Sequence, residues 1–194
     1  MASAERTAAP QQHVLIAVDP SQASRHAASW ALRHGLLPAG ARIALVSVVP
    51  SPPLAPMAPG IAGVGGLTST AGVAEYEKEW QANKAVHREA LTDVQEMLVK
   101  GGCVVSPDDC VLLDGDGAGG GAVGDPLIGW AKAHGVDLVV VGSRSLSALK
   151  RGIYSLIGLG SVSDHLVRHA PCPITVVPHL PEGHAASPST PKPA

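Results

Sequence analysis

Three short stretches carry residues whose types and placement suit ligand chemistry. Asp19 closes the apolar run HVLIAVD and is followed by Pro20. Gly142-Ser143-Arg144-Ser145 closes a second apolar run, VDLVVVG. Gly160-Ser161-Val162-Ser163-Asp164 stands where a helix is expected to start. A helix N-terminus presents unpaired backbone N–H groups and the positive end of the helix dipole, a combination suited to phosphate. Gly160 has no side chain to hold a ligand off the backbone, and the hydroxyls of Ser161 and Ser163 add donors. The same residues have a reading without a ligand: Ser161-x-x-Asp164 also matches a capping box.

Other constellations are weaker. His165 and His169 stand four apart, a zinc spacing, but no third ligand accompanies them, so surface packing is expected. Asp114, Asp116, Gly119 and Asp125 echo a calcium-loop register, but Ala118 occupies a ligand position and the last ligand is not Glu. There is no Walker A sequence, no G-x-S-x-G and no paired-cysteine redox motif. No general base or nucleophile stands out, and turnover is not expected to be the point. Cys103, Cys110 and Cys172 form neither a zinc spacing nor a disulfide framework, which fits a reducing compartment. Cys172, between two prolines, is expected to be buried beside the last strand rather than reactive.

The elements that must position these residues follow from pattern. In 194 residues, 45% hydrophobic and 15% charged, there is room for one domain with tails or insertions. With no Phe, three Trp and two Tyr, the core must be aliphatic. That sparse aromatic set disfavours base stacking, and a net charge of −2 argues against a phosphate-backbone binder, so no nucleic-acid partner is expected. No apolar run reaches membrane-spanning length, and MASAERTAAPQQ lacks a secretory hydrophobic region, so a cytoplasmic protein without a membrane partner is expected. Residues 1–12 and 179–194 read as disordered tails around a domain at 13–178.

Within that domain, strands are expected at 13–19, 42–49, 103–105 with 111–113, 136–142 and 173–177. Helices are expected from Ser21 to Gly35, over 73–100, from Asp125-Pro126 to Gly135, and near 161–169. Ser21 is the expected N-cap of the first helix. Trp30, Trp80 and Trp130 fall in helices and read as packing. Segment 50–72, with five Pro and five Gly, and segment 115–124, with six Gly, read as flexible insertions. Apolar strands alternating with helices specify an α/β fold: a doubly wound parallel sheet with right-handed crossovers. In such sheets ligands sit beyond the carboxyl ends of the strands, where the strand order reverses.

VLIAVDPSQASRHAASWAL, DPLIGWAKAHGVDLVVVGSRS, LKR and GSVSDHLVRHAPCPITVV, in that order, resemble the universal stress protein family over residues 13–178. The resemblance implies a five-stranded parallel sheet of order 3-2-1-4-5, with helices on both faces, which places Asp19 and Gly142 on one crevice. Many members bind ATP, alone or with Mg2+, through a G-x2-G-x9-G-S/T pattern. Carried over, it implies a site at Ala17, Val18 and Asp19, the Asp meeting the adenosine portion. The backbone of Val48, at the end of strand two, would meet the base. The pattern itself falls on Gly142, Ser143, Arg144 and Ser145, then on Gly160, Ser161, Val162 and Ser163. Ser145 replaces the pattern's second glycine, and fourteen residues instead of nine separate it from Gly160. The resemblance further implies a homodimer through the last strand, Ile174, Thr175, Val176 and Val177. That stretch is β-branched with only Pro178 guarding it, and a proline at Thr175 is expected to open the pairing.

The function implied is a stress-response nucleotide-binding module that acts through dimerisation or an unidentified protein partner. Two alternatives stand beside it. One is a nucleotide-free interaction protein whose site is closed by an insertion at 152–159. The other is a slow ATP hydrolase in which Asp19 or Ser163 assists water.

Overall fold

The computed structural model of the protein describes residues 11–51, 70–116, 120–144 and 160–179, with the side chains of 70–73, 120 and 144 left out. Strands β1 (His13–Ala17), β2 (Arg42–Val49), β3 (Cys110–Asp114), β4 (Leu138–Arg144) and β5 (Ile174–His179) alternate with helices α1 (Gln22–Arg33), α2 (Thr70–Lys100), α3 (Gly120–Ala133) and α4 (Ser161–His169). The five strands form one sheet in the order β3-β2-β1-β4-β5, and every pairing is parallel. This is the doubly wound architecture expected. The order reverses between β1 and its neighbours β2 and β4, so the crevice beyond their ends is the place for a ligand.

The central strands are buried on both faces, which is why they read as unbroken apolar runs rather than alternating ones. Val14, Ile16, Ile43 and Leu45 face α1 and α2, where they meet Ala27, Ala31, Leu91, Val94 and Leu98. Leu15, Ala17, Ala44, Val46 and Val48 face α3 and α4, against Leu127, Ile128, Ala131 and Leu166. On α2 the buried residues are His87, Leu91, Val94 and Leu98. Their helical spacing gives one face, and burying each aliphatic side chain stabilises by about 1.5–3 kcal/mol. Trp80, expected to pack, is half-buried and covered by the Lys84 ammonium at 4.7 Å from its ring centre. The other two tryptophans lie near helix ends, each stacked on the histidine four residues later: Trp30 on His34 at 4.1 Å and Trp130 on His134 at 3.9 Å. Gly35 and Gly135 then stop α1 and α3 with φ of 71° and 61°.

Several boundaries differ from the sequence expectation. Residues 103–105 join no ladder; β3 is the single piece Cys110–Asp114, because the Pro107–Asp109 3₁₀ turn, capped by Ser106, breaks the run. The glycine-rich stretch is not all loop. Helix α3 begins at Gly120, so Pro126 sits inside it. Burial of Ala122 and Gly124, close against α4, overrides the poor helix propensity of glycine. A Cβ on Gly124 would lie 2.4 Å from the His165 ring, so a larger residue there would displace the His165 side chain. Helix α2 likewise starts at Thr70 rather than 73. The rest of the 50–72 insertion from 52 onward, residues 117–119 and both expected tails apart from residues 11, 12 and 179 lie outside the described residues.

Strand β5 is an edge strand, as expected, but it runs through Pro178 to His179. The register explains how a proline fits. Val139 N–H donates to the Pro173 carbonyl at 3.0 Å, and Val139 is level with Ile174. In a parallel ladder the N–H groups of 175, 177 and 179 therefore point inward to β4, and those of 174, 176 and 178 point to the open edge. Pro178 lacks a donor only where none is needed. Thr175 donates inward, so a proline there would break the sheet itself rather than its edge.

Candidate functional site

The cleft is built by three chain segments. The first is the turn from β1 into α1. Ser21 is the N-cap, as expected, its hydroxyl accepting from Ser24 N–H at 3.3 Å. Asp19 is fixed from the same turn: its Oδ1 accepts from Ser21 N–H at 3.1 Å and from the Ser21 hydroxyl. The buried Ser24 hydroxyl donates to the Asp19 carbonyl at 2.7 Å and lies 3.2 Å from the Asp19 N–H, which donates to it. Ser24 was not among the residues expected at the site. Its signal was available, since a serine three residues after an N-cap is placed to satisfy backbone groups at the helix start.

The second segment is the end of β4. Ile16 is level with Val140, which brings Gly142 level with Val18. A Cβ on Gly142 would stand 2.5 Å from the Ala23 carbonyl oxygen and 2.9 Å from Ser24 N. Glycine is therefore required here by the close approach of α1. Ser143 is buried within β4, and it does not line the cleft. Arg144 ends the strand, its side chain outside the described residues, as are Ser145 and the whole 145–159 segment with its five-residue excess.

The third segment is the start of α4. Gly160 is its N-cap, with φ −69° and ψ 160°, and no side chain caps the helix. The expected capping box is absent because the cap falls one residue early. Asp164 thus occupies the fourth helical position, where Arg168 engages both its oxygens at 3.0 and 3.1 Å. The Ser163 hydroxyl turns back to the Gly160 carbonyl at 3.0 Å. The first-turn N–H groups of Ser161, Val162 and Ser163 have no acceptor within the helix. Gly160 contrasts with Gly142. Its backbone angles suit any residue, and among the described residues a Cβ would meet only Ser163 Oγ, at 3.7 Å. Neither its conformation nor its packing among the described residues calls for glycine.

These segments enclose a cleft of about 190 Å³. Ala17, Val46, Val48 and Val141 form its floor, with Val123 and Leu127 of α3 and Val162 of α4 along the side. Asp19, Ser21 and Ser24 of the first segment and Gly160, Ser161 and Ser163 of the third line the same cleft. Of the twelve residues expected at a site, the structure thus brings together Ala17, Val18, Asp19, Val48, Gly142, Gly160, Ser161, Val162 and Ser163. Val123 was missed because residues up to 124 read as loop, and Leu127, though expected in a helix, carried no signal for the cleft. Asp19 is the only charged side chain among the described lining residues.

The remaining candidates lie elsewhere. His165 bonds Asp125 at 2.7 Å and stacks on His169. No group of three metal-ligating side chains occurs among the described residues. Cys172 is half-buried, and burial together with the Asp137 charge pushes its thiol up, away from the reactive thiolate. No helix among the described residues is long and apolar enough to cross a membrane.

Residues 11–107 and 118–178 match the universal stress protein family model. The chain belongs to that family. A putative universal stress protein of Staphylococcus haemolyticus is 41% identical over 64 residues, 32% of this chain and 36% of that relative. Solved structures share the fold at low identity. Universal stress protein UspA from Lactobacillus plantarum aligns with a TM-score of 0.57 at 19% identity, covering 87% of this chain and 99% of that one. A family member from Burkholderia pseudomallei aligns at 0.52 and 24%, over 87% and 96%. A family member from Arabidopsis thaliana with AMP bound aligns at 0.51 and 18%, over 92% and 99%.

Proposed function

We propose that this universal stress protein is a nucleotide-responsive binding module that takes an adenine nucleotide, ATP or AMP, in the β1–β4 cleft. One observation carries the reading: the N-terminus of α4, which no side chain caps and whose glycine is not required by packing among the described residues, opens on the same cleft as the Asp19 carboxylate. Apolar side chains of the sheet and of α3 line the same cleft. A base would lie on Val46, Val48 and Leu127, and the Asp19 carboxylate would accept hydrogen bonds from ribose hydroxyls. Phosphates would accept from the first-turn N–H groups of α4 and the Ser161 hydroxyl, with the dipole favouring their charge. The described residues offer no cluster of metal ligands, so Mg2+ would arrive on the phosphates. The AMP in the Arabidopsis relative supports this ligand class.

Occupancy would be read out by association. The open edge of β5 presents the outward N–H groups of Ile174 and Val176, and a second copy of this chain is the proposed partner there. Titration calorimetry with ATP and with AMP tests the cleft, together with nucleotide analysis of the freshly purified protein. Binding of either nucleotide at micromolar concentration is expected. Failure to bind both would leave a nucleotide-free interaction protein as the reading.

A further inference from the structure

Directly behind the cleft floor lies a polar pair that the cleft itself does not use. Ser47 Oγ is 2.8 Å from His87 Nδ1, and both side chains are buried between β2 and α2. Ser47 stands between Val46 and Val48, whose side chains line the cleft from the other face of the sheet. Ala17 is level with Val46, so Ser47 is level with Val18, one residue before Asp19. A single layer of backbone separates the imidazole from the cleft. A serine hydroxyl donates to or accepts from Nδ1, so the pair persists in either protonation state of the ring.

The other charges around His87 are engaged or exposed. Lys84, nearly one turn earlier on α2, pairs with Asp114 at the end of β3, and Asp93 pairs with Arg25 of α1. Arg88 and Glu89 are exposed on α2. Burial pushes the imidazole below its ordinary value, and the Asp19 charge opposes that push. Asp19, which lines the cleft, is thus a charge that acts on the His87 ring.

We propose that His87 couples proton uptake to occupancy of the cleft: a nucleotide seated over Val46, Val48 and Asp19 displaces water from that face, and the less screened carboxylate favours the imidazolium on the other face. The inference rests on the cleft being the nucleotide site. Expelling water lowers the local dielectric between Asp19 and His87, whereas the α2 face of the sheet is untouched, so burial of the ring does not change. Linkage makes the effect reciprocal: protonation of His87 tightens the nucleotide, and affinity climbs as pH falls through the His87 titration. His87 does not touch the ligand; it acts through its charge on Asp19, which lines the cleft.

The test follows the His87 ring by NMR titration in the full chain, free and saturated with AMP, and in Asp19→Asn without ligand. Calorimetry with AMP near pH 7.5 and 5.5 compares the wild type with His87→Gln, which keeps a partner for Ser47 but does not titrate. AMP is expected to move the His87 titration to higher pH, and Asp19→Asn to move it lower. Relative to His87→Gln, the wild type is expected to gain about fivefold or more in AMP affinity at the lower pH, the modest end of typical couplings. The ratio between the two proteins cancels the titration of the phosphate itself. AMP binding that leaves His87 unmoved, or an equal pH dependence in both proteins, overturns the inference alone. Absence of AMP binding overturns the nucleotide reading and the inference with it. The NMR arm needs no His87 variant, so it decides the matter even if His87→Gln folds poorly.

Discussion

Gly142→Ala separates two reasons for a glycine at the end of β4. If the glycine serves the ligand, alanine removes nucleotide binding and leaves the fold as stable as before. The structure gives the other reason. The new methyl would stand 2.5 Å from the Ala23 carbonyl oxygen, 2.6 Å from its carbon and 2.9 Å from Ser24 N, where ordinary contact begins at 3.4 Å. The obstacle is backbone, so no side chain can swing aside; α1 must withdraw by roughly 0.9 Å, a shift of the kind that overpacking forces. Its start is held by the Ser21 cap, by the Ser24 bonds to Asp19 and by the buried Ala23 and Ala27. Strain of this sort costs about 1–3 kcal/mol, and rigid backbone places the expectation near 2–3 kcal/mol. For a domain of this size that corresponds to a fall in Tm of about 5–10 °C. Urea and thermal unfolding without ligand measure it. Nucleotide affinity should fall as well, because the displaced turn carries Asp19. Unchanged stability in the ligand-free variant would refute the packing argument and return Gly142 to the ligand.

Gly160→Val should behave in the opposite way: unfolding changes by about 1 kcal/mol or less, the scale of an N-cap substitution, while calorimetry finds nucleotide affinity reduced by at least about tenfold, the equivalent of ~1.4 kcal/mol. Ser24→Ala, removing a buried hydroxyl that serves both backbone groups of Asp19, should cost about 1–2 kcal/mol in urea unfolding. His87 is held below its ordinary value in the folded state, so the unfolded chain takes up a proton first as pH falls. Stability from this residue is complete above about pH 6.5 and declines below it, toward the folded-state titration; denaturation at a series of pH values should show a shallower decline for His87→Gln. Val176→Pro removes an N–H that faces the open edge, and sedimentation should find it monomeric and folded, whereas Thr175→Pro should unfold or loosen β5.

The architecture was legible because short runs such as VLIAV and LVVV, rich in β-branched residues and bounded by turn residues, suit strands buried on both faces and covered by the helices between them. Residues of the cleft were legible too, since Asp19, Gly160 and Ser161 break those patterns at points where a parallel sheet places ligands. What sequence could not supply was the reason for each residue. Gly142 and Gly160 read alike along the chain, yet one is set against the backbone of α1 and the other against nothing described but a serine hydroxyl. Ser161 and Asp164 match a capping box, but the cap falls at Gly160, and a shift of one residue hands Asp164 to Arg168. The glycines at 120 and 121 argue locally for a loop, and Pro126 for a helix start; the helix nevertheless begins at Gly120 and brings Val123 to the cleft beside Leu127, because burial against β2 and α4 outweighs propensity. Ser47 and His87 lie forty residues apart and became partners only when α2 settled on β2. Local chemistry sets which elements form and where they end, since it acts through neighbours in sequence. Contacts such as those of Gly142, Gly124 and His87 depend on distances between elements, and only the packed sheet and its helices determine those.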